Sequence, residues 1–154
     1  MKIEELVSLN AVVADLKAKS KKQALQKLAK RAAEITGVRE REIFETILER
    51  ERLGTTGVGR GIAIPHGKLT ELERLYGLFA RLDQPVDFES IDEQPVDLIF
   101  MLLAPESAGA DHLKALAKVS RLLRDQTICD KLRGSDGPDA LYALLTETAV
   151  THAA

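Results

Sequence analysis

Tryptophan is absent, and aromatic residues make up only 4% of the 154-residue chain. That supply is thin for the stacked aromatic platforms that hold single-stranded nucleic acid. An excess of charge of one sign is missing too, since 22 Lys and Arg against 24 Asp and Glu leave a formal net charge of −2. No overall field draws such a chain to nucleic acid or to an anionic membrane. The single cysteine, Cys129, excludes an internal disulfide framework and is what a reducing, cytoplasmic setting predicts. The longest unbroken apolar run, Leu98-Ile99-Phe100-Met101-Leu102-Leu103-Ala104, falls far short of the roughly 20 residues that a membrane span needs. Met1-Lys2-Ile3-Glu4-Glu5 lacks the apolar core of a secretory signal. Internal repeats, low-complexity tracts and linkers rich in Pro, Gly or Ser are also missing.

What is there suits one folded unit. Hydrophobic residues account for 45% and charged residues for 30%, an ordinary balance for a globular domain. A chain of this length buries roughly two thirds of its unfolded surface and needs no disulfide or metal staple. We expect a single domain over 1–154 with its core over about 6–145, and a tail, 148–154, that frays.

The spacing predicts a helix over 20–36. Ser20-Lys21-Lys22-Gln23 has the capping-box pattern, Ala24, Leu25, Leu28, Ala32 and Ile35 share one face, and Gly37 ends it. Lys21, Lys22, Lys27, Lys30 and Arg31 read as its solvated face. A second helix is expected from about residue 39 to 53, with Ile43, Phe44, Ile47 and Leu48 as its stripe. Four glycines within 54–61 then predict a tight loop. Ile62-Ala63-Ile64 reads as a short buried strand, stopped by Pro65-His66-Gly67. A strand is expected over 76–82, a turn at Asp83-Gln84-Pro85 and a short extension at Val86-Asp87-Phe88. The run over 96–104 suits a central strand buried on both faces. Helices follow at about 111–125, 127–132 and 138–145. Helices before, between and after strands indicate an α/β fold with helices on both faces of one sheet.

The glycine-rich loop does not read as a nucleotide site. A dinucleotide fingerprint runs strand, G-x-G-x-x-G, helix, whereas here a helix precedes Gly57-x-Gly59-x-Gly61 and a strand follows. Metal and hydrolase patterns are weak. There are three histidines, one of them (His152) in the tail, with no H-E-x-x-H and no G-x-S-x-G.

His66 lies beyond a strand end, where ligands of open α/β sheets bind, with Pro65 fixing its approach angle and Gly67 leaving one side of the ring uncrowded. From the tripeptide alone, a hydrogen-bonded turn histidine is the better reading. His112 changes the weighting. It falls on one stripe with Leu116, Val119 and Leu123, at the N-terminal end of a helix's buried face, near the same sheet edge. A satisfied core histidine accounts for it equally well. Arg50 borders the apolar stripe of its helix and Glu51 lies inside it. Arg50 is either a cation favoured at a helix C-terminus or a guanidinium fork for a phosphoryl group.

The stretch Arg50-Glu51-Arg52-Leu53-Gly54-Thr55-Thr56-Gly57-Val58-Gly59-Arg60-Gly61-Ile62-Ala63-Ile64-Pro65-His66-Gly67-Lys68 resembles the phosphorylation-site signature of enzyme IIA domains of the phosphotransferase system, fructose–mannitol type, and most of all the nitrogen-regulatory branch. Asp92-Glu93-Gln94-Pro95-Val96-Asp97-Leu98, Asp111-His112-Leu113 and Thr127-Ile128-Cys129 agree with it, so the resemblance runs from about Leu6 to Leu145.

The resemblance implies a mixed, mostly parallel sheet flanked by helices, and a phosphocarrier. His66 would take a phosphoryl group on Nε2 (a tele-phosphohistidine) from the phosphohistidine of an HPr-like carrier (NPr), with His112 as the second active-site histidine and Arg50 as the signature arginine. To these we add Thr56 or loop N–H groups, Gly57 among them, as secondary donors to the phosphoryl, and Glu51 as the residue that orients Arg50. No cofactor, metal or nucleotide is implied. Regulatory output through potassium-transport or sensor-kinase proteins is implied for the nitrogen branch. The alternatives are a sugar-specific IIA that passes phosphate to a separate IIB, and a binding module that works without phosphorylation.

Overall fold

A computed structural model describes residues 1–153, with side chains through 147. A short helix α1 (Ile3–Leu6) and a single 3-10 turn lead into strand β1 (Val12–Leu16), neither of which the apolar pattern announced. Helix α2 spans Lys21–Thr36. The Ser20 hydroxyl accepts the Gln23 N–H at 3.1 Å, and the Gln23 amide reaches back to the Lys19 N–H at 2.6 Å. The first occupies a backbone donor that the helix leaves open, and the second ties the residue before the cap to the first turn. Gly37 stops the helix in the left-handed region, at φ 80°. Helix α3 (Glu40–Arg52) buries Ile43 and Ile47.

The glycine-rich segment is not all loop. Strand β2 (Gly57–Gly59) pairs antiparallel with β3 (Ile62–Ala63). The hairpin turns on Arg60 (φ 57°) and Gly61 (φ 81°), both in the region that two-residue hairpin turns demand.

The chain does not stop at Pro65. His66 opens a further strand, β4 (His66–Leu69), followed by β5 (Tyr76–Val86) and β6 (Val96–Pro105). Strands β3 and β4 both run parallel to β6, with Ile62 and Ala63 beside Leu98 and Ile99, and His66 beside Leu102. The register is unbroken across Pro65. Proline lacks the N–H but keeps an acceptor, and its carbonyl takes the Leu102 N–H at 2.9 Å. Strand β5 likewise passes through the expected turn at residues 83–85. A register irregularity between Arg81 and Val86 lets it do so while those three residues stay exposed.

The sheet has six strands in the order β1-β5-β6-β3-β2, with β4 also on β6. Pairs β1/β5, β3/β6 and β4/β6 are parallel, and β2/β3 and β5/β6 antiparallel. It is a mixed, mostly parallel α/β sheet, as expected. Successive residues of β6 point to opposite faces and nearly all are buried, so both faces are covered. Helices α2 and α3 pack on each other and on β4 and β5, while helices α4 (Ala110–Arg124), α5 (Gln126–Gly134) and α6 (Pro138–Ala153) form a second group on β1 and β6. The frayed tail expected over 148–154 falls where side chains, and for Ala154 the backbone, lie outside the described residues. Among the described residues no helix is long and apolar enough to cross a membrane.

Candidate active site

Strand β4 puts His66 at the start of a ladder on the central strand, half-buried. Its Nδ1 lies 2.9 Å from the Ile64 carbonyl. A carbonyl only accepts, so in the neutral ring the proton sits on Nδ1 and Nε2 keeps a bare lone pair. Gly67 serves a purpose other than leaving the ring uncrowded. A Cβ there would stand 2.8 Å from Cγ2 of Thr46 and 3.5 Å from Cδ1 of Ile47, so glycine is what allows α3 to lie against β4.

His112, in the first turn of α4, has its ring 5.7 Å from that of His66, centroid to centroid, at an interplanar angle of 68°. Only 6% of its surface is exposed, and its Nε2 is buried without a hydrogen-bond partner among the described residues. Burial, and then the neighbouring His66 and Lys68, hold its pKa below the ordinary 6.5. The ring is therefore neutral at pH 7.

Arg50 lies in the last turn of α3, and its Nη1 donates to the Gly54 carbonyl at 2.9 Å. That bond satisfies a carbonyl beyond the helix end and fixes the side chain. Arg50, His66 and His112 line one open cleft of about 400 Å³, together with Thr46, Glu49, Leu53, Gly67 and Lys68. The structure thus brings together both histidines and the arginine singled out in the sequence. Leu53 lines the cleft and is 84% accessible, and Leu113, the residue after His112, is 69% accessible.

Three expectations are corrected. Glu51 does not orient Arg50, because neighbours on a helix point about 100° apart. Its carboxylate, turned inward, accepts the Thr56 N–H at 3.1 Å and the Thr56 hydroxyl, and pairs with Lys21 Nζ at 2.9 Å. Thr56 and Gly57 are not free donors for a phosphoryl group: those of Thr56 are engaged by Glu51, and the Gly57 N–H by Thr55 Oγ1 at 3.0 Å. Neither residue lines the cleft. Lys21 is no part of a solvated face, with its side chain only 15% exposed. A lysine in the first helical turn, where cations are disfavoured, was the signal that could have marked it. Among the described residues no group of three or more His, Cys, Asp or Glu side chains is arranged to hold a metal ion.

A histidine whose neutral ring keeps its lone pair on Nε2, a second imidazole whose buried Nε2 has no hydrogen-bond partner among the described residues, and an arginine on the same cleft form a site suited to phosphoryl chemistry. The chain belongs to the family described as "Phosphoenolpyruvate-dependent sugar phosphotransferase system, EIIA 2", whose family model matches residues 5–148. Within that family it is similar to nitrogen regulatory proteins. It is 61% identical to the one from Bradyrhizobium diazoefficiens, over 99% of this chain and all of that protein. It is 45% identical to the one from Escherichia coli, over 86% of this chain and 82% of that one. The crystal structure of nitrogen regulatory protein IIA-Ntr from Neisseria meningitidis superimposes with a TM-score of 0.89 at 34% identity, covering 94% of this chain and 99% of the other.

Proposed function

We propose that the protein is a phosphocarrier whose His66 Nε2 accepts a phosphoryl group from the phosphohistidine of an HPr-like carrier, and whose phosphorylation state governs which regulatory partners it binds. The observation that carries this reading is the His66 Nδ1–H bond to the Ile64 carbonyl, because it leaves Nε2 as the nucleophile at the cleft. In the transfer the Nε2 lone pair forms the new P–N bond. The donor's P–N bond breaks, and its electron pair returns to the donor imidazole. The Nδ1 proton stays on the ring, held by the Ile64 carbonyl.

Phosphohistidine is already activated, so the protein's part is in-line placement and stabilisation of charge. About two negative charges arrive with the phosphoryl group. Arg50 meets them with a guanidinium at the cleft wall, and His112 offers its unpartnered Nε2 as a hydrogen-bond donor. Leu53 and Leu113 supply apolar surface for a docked protein to cover.

The test is incubation with phosphoenolpyruvate, enzyme I and an HPr-type carrier, followed by intact-mass measurement. An acid-labile gain of one phosphoryl group that is lost in His66→Ala is expected. No gain, or a gain indifferent to that substitution, overturns the reading. A further arm offers the phosphorylated protein to a sugar-specific IIB, and the regulatory reading expects little onward transfer.

A further inference from the structure

The buried pair Lys21–Glu51 is connected to the ring of His66 by an unbroken chain of hydrogen bonds. Lys21 Nζ lies 2.9 Å from Glu51 Oε1. The Glu51 carboxylate, with its side chain 2% exposed, takes both the N–H and the hydroxyl of Thr56. The Thr56 carbonyl accepts the Ile64 N–H at 3.0 Å, and the Ile64 carbonyl accepts the His66 Nδ1–H at 2.9 Å. Residue 64 is therefore held between Thr56 and the imidazole.

We propose that Lys21 is a positioning residue for His66, acting through Glu51, Thr56 and Ile64. The inference rests on the reading of His66 as the phosphoryl acceptor and adds the group that keeps its ring in the reactive tautomer. A carboxylate withdrawn from water needs a countercharge and occupied acceptors. Lys21 is the cation that Glu51 pairs with in this structure. The ammonium is itself well placed, 4.8 Å from the centre of the Phe88 ring and 3.6 Å from Glu89. With Lys21 in place, Glu51 holds Thr56 by two bonds. Without it, the buried carboxylate loses its countercharge and turns toward water, and the geometry that Thr56 passes to Ile64 is lost. The ring then populates the tautomer with its proton on Nε2, which has no lone pair there to offer.

The experiment compares wild type, Lys21→Met and Lys21→Arg in the full chain. Three quantities are read: the His66 tautomer by ¹⁵N chemical shifts, the transfer rate from a phosphorylated HPr-type carrier, and thermal stability. In Lys21→Met the share of Nδ1–H tautomer falls and transfer slows on the order of tenfold, short of the roughly hundredfold loss that displacing a reacting group by about 1 Å brings. Lys21→Arg, which keeps a cation, recovers both. Should Lys21→Met fail to fold, Lys21→Met combined with Glu51→Gln removes the unpaired charge and takes the same measurements, with transfer again below wild type. A folded variant with wild-type tautomer overturns the inference, whether or not its melting temperature has dropped, because a merely structural ion pair moves stability alone. The tautomer is read on unphosphorylated protein. Wild type that takes no phosphoryl on His66 therefore counts against the proposed function and is distinguishable from failure of the Lys21 inference.

Discussion

The rings of His66 and His112 meet nearly edge-on at 68°, 5.7 Å between centres, although one opens a strand and the other lies in the first turn of a helix that follows two strands later. His66 has a fixed partner for one nitrogen, while His112 has a buried nitrogen with none among the described residues. Under the proposed function, that asymmetry makes His66 the acceptor and His112 its helper, and it sets how each should respond to substitution and pH.

Acid should destabilise the protein through His112. Its pKa is lowered in the fold, chiefly by burial. As pH falls through the ordinary 6.5, the unfolded chain therefore binds a proton that the folded ring refuses. Stability is full above that value, declines below it, and levels off once the folded ring titrates too. Urea unfolding at about pH 7.5 and about pH 5.5 should give a smaller difference in His112→Gln than in wild type. Equal differences would remove His112 as the cause.

Phosphorylation of His66 should reverse the sign. A dianion beside the ring favours the charged form of His112. Its titration, followed by NMR, should move to higher pH in the phosphorylated protein. An unmoved midpoint would place the phosphoryl group away from His112.

Arg50→Ala should slow transfer on the order of tenfold or more, yet lower stability by no more than about 1 kcal/mol. Among the described residues its side chain donates to the Gly54 carbonyl, just beyond the exposed end of α3. Quenched-flow transfer and urea unfolding on the same sample check this. Comparable losses in both would make Arg50 a structural cap.

Gly67→Ala should cost about 1–3 kcal/mol, because the added methyl overpacks a filled contact, 2.8 Å from Thr46 Cγ2. Combining it with Thr46→Ser, which removes that methyl, should recover most of the loss. A double variant no more stable than Gly67→Ala would mean that the clash lies elsewhere.

Local signals made much of this architecture legible. Ser20 and Gln23 cap α2 and Gly37 ends it, as the pattern requires. The unbroken apolar run over 98–104 lies in the central strand, and the stripe that includes His112 faces inward. What escaped was decided by tertiary partners. Gly67-Lys68 is a poor strand sequence, and β4 exists because β6 offers a parallel edge in register past Pro65. Strand β1 lies at one end of the strand order, on β5, and its residues carry too short an alternation to stand out. Glu51 and Thr56 looked like parts of the site because they flank it in sequence. Helical geometry instead turned Glu51 inward, to a lysine from the start of α2. The two histidines and the arginine were singled out through the family resemblance, since their residue types alone left a turn histidine, a core histidine and a helix-end cation open, whereas the supports of His66 were not, because they are carbonyls and a buried carboxylate with no motif of their own.

His66 is a rung of a parallel ladder whose other rail is the central strand, buried at all but one of its positions. A residue so anchored has little freedom to swing when it is modified, and neither does the backbone beneath it. Any message written there is one of charge rather than contour. A binding protein would sense an added anion at an unchanged surface, attracted or repelled according to its own electrostatics.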